Sequence, residues 1–484
     1  MNHLPILIIL LYLGSALLIP LLAGRFSSRW LAVAAAALAL ILSGLSAWHV
    51  AEGGTYSYFF GSHSAPFGVE FAVDWVTVLL HLTINFIGLA ILVYCNKEID
   101  FAIQSWFYTL FLLLMVALNG LVMAYDLFAI FLFTELGTLS ACALVAVKPK
   151  ALCVEAAFKY LILSTLGSGL ILLGISLIYM ATGNLNLGAL GATLPSAYTI
   201  YPWNIRIALS LFIVGFGIKS ALFPLHIWLP DAHSASLTPT SAIHSSLVVK
   251  IYIIAAARII FQAFGDSLIS VLPLPQVLLL LATFGIFAGS LLAMLQTDIK
   301  RMLAYSTVAQ ISYIFLGIGL MTKTGVMGGL LHVINHGIMK SLLFLAAGTI
   351  IAKTGSRKIE DLSGMGYRMP LTMTVFSIGA LSMVGIPGFS GYVSKLYLAF
   401  GAMEAGKPLF VVIILLSSLL NAFYYLPIVV RAFFSPGRHN FTWDGLSWQE
   451  AVPMLALAAV TIYFGLLPGV LVNLAKMAAA GWLN

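Results

Sequence analysis

The chain has 484 residues, of which 61% are hydrophobic and only 8% charged. A soluble domain carries about 25% charged residues, so a water-soluble globule is excluded for want of polar surface. The formal net charge of +7 would point to nucleic acid in a soluble protein, but the basic residues sit mostly in loops, where they set topology, and no nucleic-acid partner is expected.

Hydrophobic stretches of about 20 residues, the length that crosses a hydrocarbon core, recur from end to end. Their continuous apolar character predicts an all-α, polytopic bundle and excludes the short alternating segments of a membrane barrel. In chain order the predicted spans lie near 4–22, 29–49, 76–95, 104–124, 127–147, 155–181, 205–229, 241–263, 276–296, 301–321, 325–352, 370–402, 409–434 and 451–472. The first has no lysine or arginine ahead of it and no clear cleavage site, so it reads as a span and not as a signal peptide. Residues 50–75, with Gly53, Gly54, Gly61 and Pro66, read as an external loop with room for a short hairpin. A polar segment, 353–369, separates spans 11 and 12. The three cysteines, Cys95, Cys142 and Cys153, show neither metal nor redox spacing, so no disulfide framework is expected.

Loops after odd-numbered spans hold Arg25, Arg29, Lys97, Lys148, Lys150, Lys300, Arg301, Lys353, Arg357, Lys358, Arg368, Arg431 and Arg438. The opposite loops and helix ends hold Arg206, Arg258, Lys323, Lys407 and Lys476. Thirteen against five places the odd loops in the cytoplasm and both termini outside, on the rule that cytoplasmic loops are basic.

The remaining five basic residues, Lys159, Lys219, Lys250, Lys340 and Lys395, fall inside apolar stretches, as does Glu135. A charge at the bilayer centre costs about 3 kcal/mol on insertion scales, so six such residues call for a function. Burial disfavours the charged form of a lysine, and a nearby carboxylate restores it; a buried Lys/Glu network is therefore a workable proton relay. Each has a structural alternative. Lys159, near the cytoplasmic end of span 6, is equally suited to snorkel to the interface. Lys340 could cap a polar patch between helices, and a Glu135–Lys219 pair could simply hold the bundle together.

Histidines gather in the same region. His226, His233 and His244 follow Lys219, while His332 and His336 precede Lys340. His332 and His336 are four apart and share one helix face, with Lys340 a turn further. Zinc sites use this spacing, but no glutamate or cysteine accompanies it and nearby lysines repel a cation, so no metal is expected. Histidine instead suits proton hand-off between lysines.

Two spans are expected to be broken. Span 7 carries Pro224 and Pro230 just after Lys219, and span 12 carries Gly385, Pro387, Gly388 and Gly391 just before Lys395. Proline removes a backbone hydrogen bond and glycine loosens the helix. Interrupted helices at matching positions point to inverted repeats around a midplane ion site. Spans 4–8 and 9–13 are two such five-helix units, oppositely oriented because five is odd. The whole of 1–484 is thus one transmembrane domain: 1–103 holds spans 1–3, 104–263 the first repeat, 276–434 the second, and 451–472 span 14.

Several stretches together resemble the antiporter-like subunits shared by Mrp cation/proton antiporters, respiratory complex I and membrane-bound hydrogenases. They are Thr134-Glu135-Leu136; Lys219 with the run from Pro224 to His233; the run from Asp298 to Thr307; Asn335-His336; and the run from Gly385 to Lys395. The resemblance spans essentially all fourteen helices. It implies a midplane chain of ionisable groups in which Glu135 tunes Lys219, Lys250 connects, His336 carries the relay on span 11 and Lys395 is the terminal site. It also places Asp231 and His233 at the cytoplasmic entrance. Some relatives have a histidine in span 10 where this chain has Gln310, so water or His332 must bridge there. The chain stops soon after span 14, without the long lateral helix of the largest members, which favours the D-type subunit of an Mrp assembly or the comparable hydrogenase subunit.

The function expected is therefore proton translocation within a larger complex of the cytoplasmic (inner) membrane. Other subunits, including further antiporter-like ones, the lipid bilayer, protons and in an Mrp setting Na+ are the expected partners. No cofactor motif is present, so no redox or other catalytic chemistry is expected of this chain alone, although it fits a subunit of an ion-translocating oxidoreductase. Two alternatives stand beside this: a self-sufficient Na+/H+ antiporter, which would favour oxygen ligands over lysines, and a structural scaffold for partner subunits.

Overall fold

The computed structural model describes residues 3–22, 27–60, 68–95, 99–435 and 445–483. Arg25, Lys97 and Arg438 of the charge count, and Gly61 and Pro66 of the expected loop, lie outside the described residues. Twelve helices among those described are long and apolar enough to cross a membrane. The first six are α1 (Leu4–Leu21), α2 (Ser28–Gly53), α3 (Trp75–Tyr94), α4 (Phe101–Met123), α5 (Leu127–Ala146) and α6 (Ala151–Thr182). Between α2 and α3 the expected hairpin forms, with β1 (Tyr56–Phe59) antiparallel to β2 (Glu70–Val73).

Spans 7 and 12 are broken, as the prolines and glycines predict. Span 7 consists of α8 (Pro202–Lys219) and α9 (Trp228–Ala235). Span 8 runs over Thr238–Ile269 as α10 (Thr238–Ile243), α11 (Val249–Arg258) and α12 (Gly265–Ile269), with π turns between them. After it come α13 (Leu274–Met294), α14 (Ile299–Gly319) and α15 (Lys323–Thr354). The polar segment holds a short 3-10 turn and α16 (Met365–Arg368), and span 12 divides into α17 (Pro370–Val384) and α18 (Ser390–Glu404). The chain closes with α19 (Leu409–Phe434), α20 (Trp448–Leu466) and α21 (Gly469–Ala480).

Two boundaries differ from the sequence reading. Residues 182–204, left outside the spans, contain α7 (Leu187–Ile200), which starts where the Asn186 side chain accepts from the Ala189 N–H. Span 14 ends at Leu466, because Pro468 cannot continue the ladder, and α21 begins afresh beyond it.

Local chemistry sets the helix ends. Asp74, Asp126, Asp298 and Thr322 each accept a backbone N–H from the first turn of α3, α5, α14 and α15, satisfying donors that the helix itself leaves free. At the other ends, Gly183 and Gly355 stop α6 and α15 in the left-handed conformation. Without water between helices, association depends on close packing of small residues. Gly317 and Gly401 are two such points: a Cβ at either would press on the backbone of Gly325. The most enclosed element is α15, packed by α3, α10, α14, α17, α18, α20 and α21.

Candidate functional site

The candidate site begins at the first broken helix. Lys219 is the last residue of α8, where unpaired carbonyls favour a cation. Its side chain is fully buried, and Nζ meets the Glu135 carboxylate of α5 at 3.1 Å. It also donates to Thr138 Oγ1 at 2.7 Å, one turn along from Glu135, and lies 6.0 Å from the centre of the Tyr252 ring. The Ser168 hydroxyl of α6 donates to Glu135. Glu135 itself is 28% exposed. Trp228 fixes the break: its indole N–H donates to the Ile218 carbonyl at 2.8 Å, and its ring stacks on Tyr160 at 4.0 Å.

Lys250 lies inside α11 with no exposure and donates to the Ser245 carbonyl in the π turn before it. Ser245 and Thr307 share a hydroxyl contact of 2.7 Å, joining span 8 to α14. On α15, His332 and His336 stack with ring centres 5.5 Å apart. Both ring nitrogens of His336 lack a hydrogen-bond partner, as do both amide atoms of Gln310, all fully enclosed. Buried polar atoms are almost always partnered, so this is where water would enter a chain of donors and acceptors.

The second broken helix completes the line. His332 Nδ1 lies 2.9 Å from Ser394 Oγ, and the Tyr313 ring stands between His332, at 5.3 Å, and Lys395, at 5.4 Å. Lys395 donates to the carbonyls of Met383 and Val384 at 2.9 and 3.0 Å and to Ser418 Oγ at 3.1 Å. Lys340 is tied to Leu303 O at 2.8 Å, to Ser306 and to Tyr425 OH at 3.4 Å.

His233 and Arg258 sit differently from their expected places, and Lys159 takes the interfacial alternative. Lys159 is not buried. Its side chain is 50% exposed and pairs with Glu155 at 2.8 Å and Asp231 at 3.3 Å, because it projects from the first turns of α6 towards the membrane boundary. Asp231 and His233 do not share an opening. Asp231 faces outward between Lys159 and Arg301, whereas His233 turns inward against Phe344 and His244. Arg258, counted with loops and helix ends, is 1% exposed and pairs with Asp74 at 3.1 Å. His226 lies in the break itself, stacked on Phe223. The hydroxyl-bearing neighbours Thr138, Ser168, Tyr252, Ser394 and Tyr313 were not singled out from sequence. Thr138, at i+3 from Glu135, is the one that helical spacing could have found.

These features define a class: a polytopic helical membrane subunit with buried lysines at two helix breaks. The chain belongs to the NADH:quinone oxidoreductase/Mrp antiporter transmembrane family, whose model matches residues 124–421. It is 37% identical to NADH-quinone oxidoreductase subunit N of Desulforudis audaxviator, over 96% of this chain and 96% of that one. A chain of the membrane-bound sulfane sulfur reductase, an archaeal respiratory membrane complex, superposes with a TM-score of 0.93 at 31% identity, covering 100% of this chain and 98% of that one. A chain of the Mrp complex from a Dietzia species does so with a TM-score of 0.89 at 25% identity, covering 99% and 98%. The protein is accordingly an antiporter-like membrane subunit of the kind found in Mrp, complex I and related membrane-bound respiratory complexes.

Proposed function

We propose that the chain moves protons along the bilayer midplane, from Lys219 through Lys250 and the His336–His332 pair to Lys395. The observation that carries this is the Glu135–Lys219 pair at 3.1 Å: a fully buried lysine at a helix break, held by a carboxylate that is partly exposed. A neighbouring subunit can alter the field at Glu135 and so change how firmly Lys219 holds its proton. Glu135 is the tuner and Lys219 the first carrier. Tyr252, Ser245 and Thr307 lie beside the path to Lys250, and His332, Ser394 and Tyr313 bridge past Gln310. Lys340, His226, His233 and His244 flank this line, and Asp231 marks the cytoplasmic approach. We read 104–263 and 276–434 as two inverted units, each contributing one broken helix.

In this reading the chain resides in the cytoplasmic membrane with both termini outside, alongside other antiporter-like subunits, and Na+ movement or a redox arm elsewhere supplies or takes up the energy. The test is proton transport by the reconstituted complex carrying Lys219→Ala or Lys395→Ala. Loss of transport with intact assembly is expected from each. Undiminished transport would overturn the relay, and failure of the complex to assemble would favour a purely structural ion pair.

A further inference from the structure

A second set of buried polar side chains lies away from this relay, along α3. Asp74 caps that helix, and Thr77, His81 and Asn85 follow at spacings of three and four, so all share one face. The outer end opens beside the hairpin into a cavity of about 360 Å³ lined by Thr55, Tyr56, Glu70, Asp74, Tyr125 and Gln262 among others. Glu70 accepts from Ser57 and, at 2.6 Å, from Asn186. Asp74 pairs with Arg258, which also donates to Thr77 at 3.1 Å. Deeper in, His81 Nε2 lies 3.2 Å from the Asn119 carbonyl, and the Asn119 and Asn85 amides meet at 3.1 Å. Asn85 donates to Ser43 and accepts from Tyr12, both at 2.8 Å. Thr77, His81, Asn85, Asn119, Ser43, Tyr12 and Arg258 are all almost fully enclosed.

Polar side chains between membrane helices often serve only as glue, but glue leaves few donors unmet. Here His81 Nδ1 and the Nε and Nη1 of Arg258 have no hydrogen-bond partner, and the file ends at an open cavity with two carboxylates at its mouth. It also runs towards the relay. Arg258 lies two turns from Lys250 on α11, and α3 meets α15 next to His336, where a Cβ at Gly337 would lie 3.2 Å from Ile87 Cδ1. Most of the file, on α1 to α4, precedes the residues matched by the family model.

We propose that this file is the proton-access route between the hairpin side of the membrane and the relay, with the Asp74–Arg258 pair as its gate. Carboxylates at the mouth gather cations, and when the Asp74–Arg258 pair opens, water and the hydrogen-bonded side chains beyond it pass a proton. The proposal rests on the relay reading, and labelling tests it separately. In the assembled complex with Cys95, Cys142 and Cys153 replaced, single cysteines are placed at Thr55 in the mouth, at His81 and Asn119 in the file, and at Leu92, buried on α3 beyond it. A charged, membrane-impermeant methanethiosulfonate is then added from either side. His81→Cys and Asn119→Cys should react from the same side as Thr55→Cys, about tenfold or more faster than Leu92→Cys, and modification of Thr55→Cys, which lines the mouth, should slow proton transport. Thr77→Cys, nearly isosteric, serves if His81→Cys does not assemble. Reaction of the file cysteines no faster than Leu92→Cys, with Thr55→Cys labelled, overturns the route whatever the Lys219→Ala result. Normal transport by Lys219→Ala with the file labelled overturns the relay instead.

Discussion

The two broken helices share a backbone plan and differ in how each holds its lysine. At the first, Lys219 ends α8 and its charge meets a carboxylate on a different helix, Glu135 of α5. At the second, Lys395 lies one turn inside α18 and reaches back to the last carbonyls of α17, with Ser418 as third acceptor. One ammonium is therefore balanced by a full charge that a neighbour can move or screen. The other is held only by dipoles, two from carbonyls of the break and one from the Ser418 hydroxyl of α19. In the proposed relay, a signal arriving from the side of the molecule would act directly on Lys219, whereas Lys395 would respond to what comes along the chain. The breaks also differ in packing. Gly385 and Gly388, both at φ 92°, turn the second gap, and its backbone lies against α20 at Gly465. The first gap is pinned by side chains, chiefly Trp228.

That difference in packing yields the largest expected effect. A Cβ at Gly391 would come within 1.9 Å of the Ser382 carbonyl, which is backbone and cannot step aside. Gly391→Ala should cost about 4 kcal/mol or more, in the range of severe overpacking, and little folded protein should be recovered from membranes. At the first break Gly217→Ala would meet side chains and no backbone, Leu225 at 3.2 Å and Leu222 at 3.7 Å, and should leave expression and thermal stability nearly unchanged. Equal damage from both would show that the two breaks are packed alike.

Charge comes next. Lys219→Met strands Glu135 without its cation; breaking a fully buried pair costs about 3–5 kcal/mol, and the partial exposure of Glu135 reduces this to about 2–3 kcal/mol. Adding Glu135→Gln should restore more than half of the loss. Lys395→Met leaves no opposite charge behind, only acceptors, so it should cost about 1–2 kcal/mol. Thermal unfolding of the detergent-purified complex checks the series. A Glu135→Gln change that rescues nothing would mean the pair is not an energetic unit.

The asymmetry between the breaks was half legible from sequence. Composition, span lengths and the Pro and Gly clusters beside Lys219 and Lys395 are local signals, and they located both breaks. Glu135, a carboxylate inside an apolar stretch, also stood out as a partner for Lys219. Lys159 was left open between relay and interface, because position in an apolar run does not say which way a side chain points near a membrane boundary. Arg258 was missed for the converse reason: it sits near the end of a span, yet Asp74 and Thr77 fold over it. Its partner is 184 residues away, and no local pattern carries such a contact. Serine and threonine hydroxyls were illegible because, in membrane helices, they bond to their own backbone as readily as to a neighbour. A helix such as α7 lacked a signal because its 14 residues are too few to cross the bilayer.

Smaller effects refine the comparison of side-chain pinning with dipole holding. Trp228→Phe keeps the ring stacked on Tyr160 and removes only the hydrogen bond to Ile218 O. It should lower stability by about 1 kcal/mol and slow proton transport by a few fold, since Ile218 adjoins Lys219 and the bond sets where α8 ends. Ser418→Ala should be milder still. It withdraws one of three acceptors from Lys395 and leaves the carbonyls of Met383 and Val384 in place, so stability should fall by about 0.5 kcal/mol and transport by less than twofold. The two changes are informative as a pair, each taking one hydrogen bond from its break. If Ser418→Ala proved the more damaging to transport at equal assembly, Lys395 would depend on a side chain from α19, and its hold would be as open to outside control as that of Lys219.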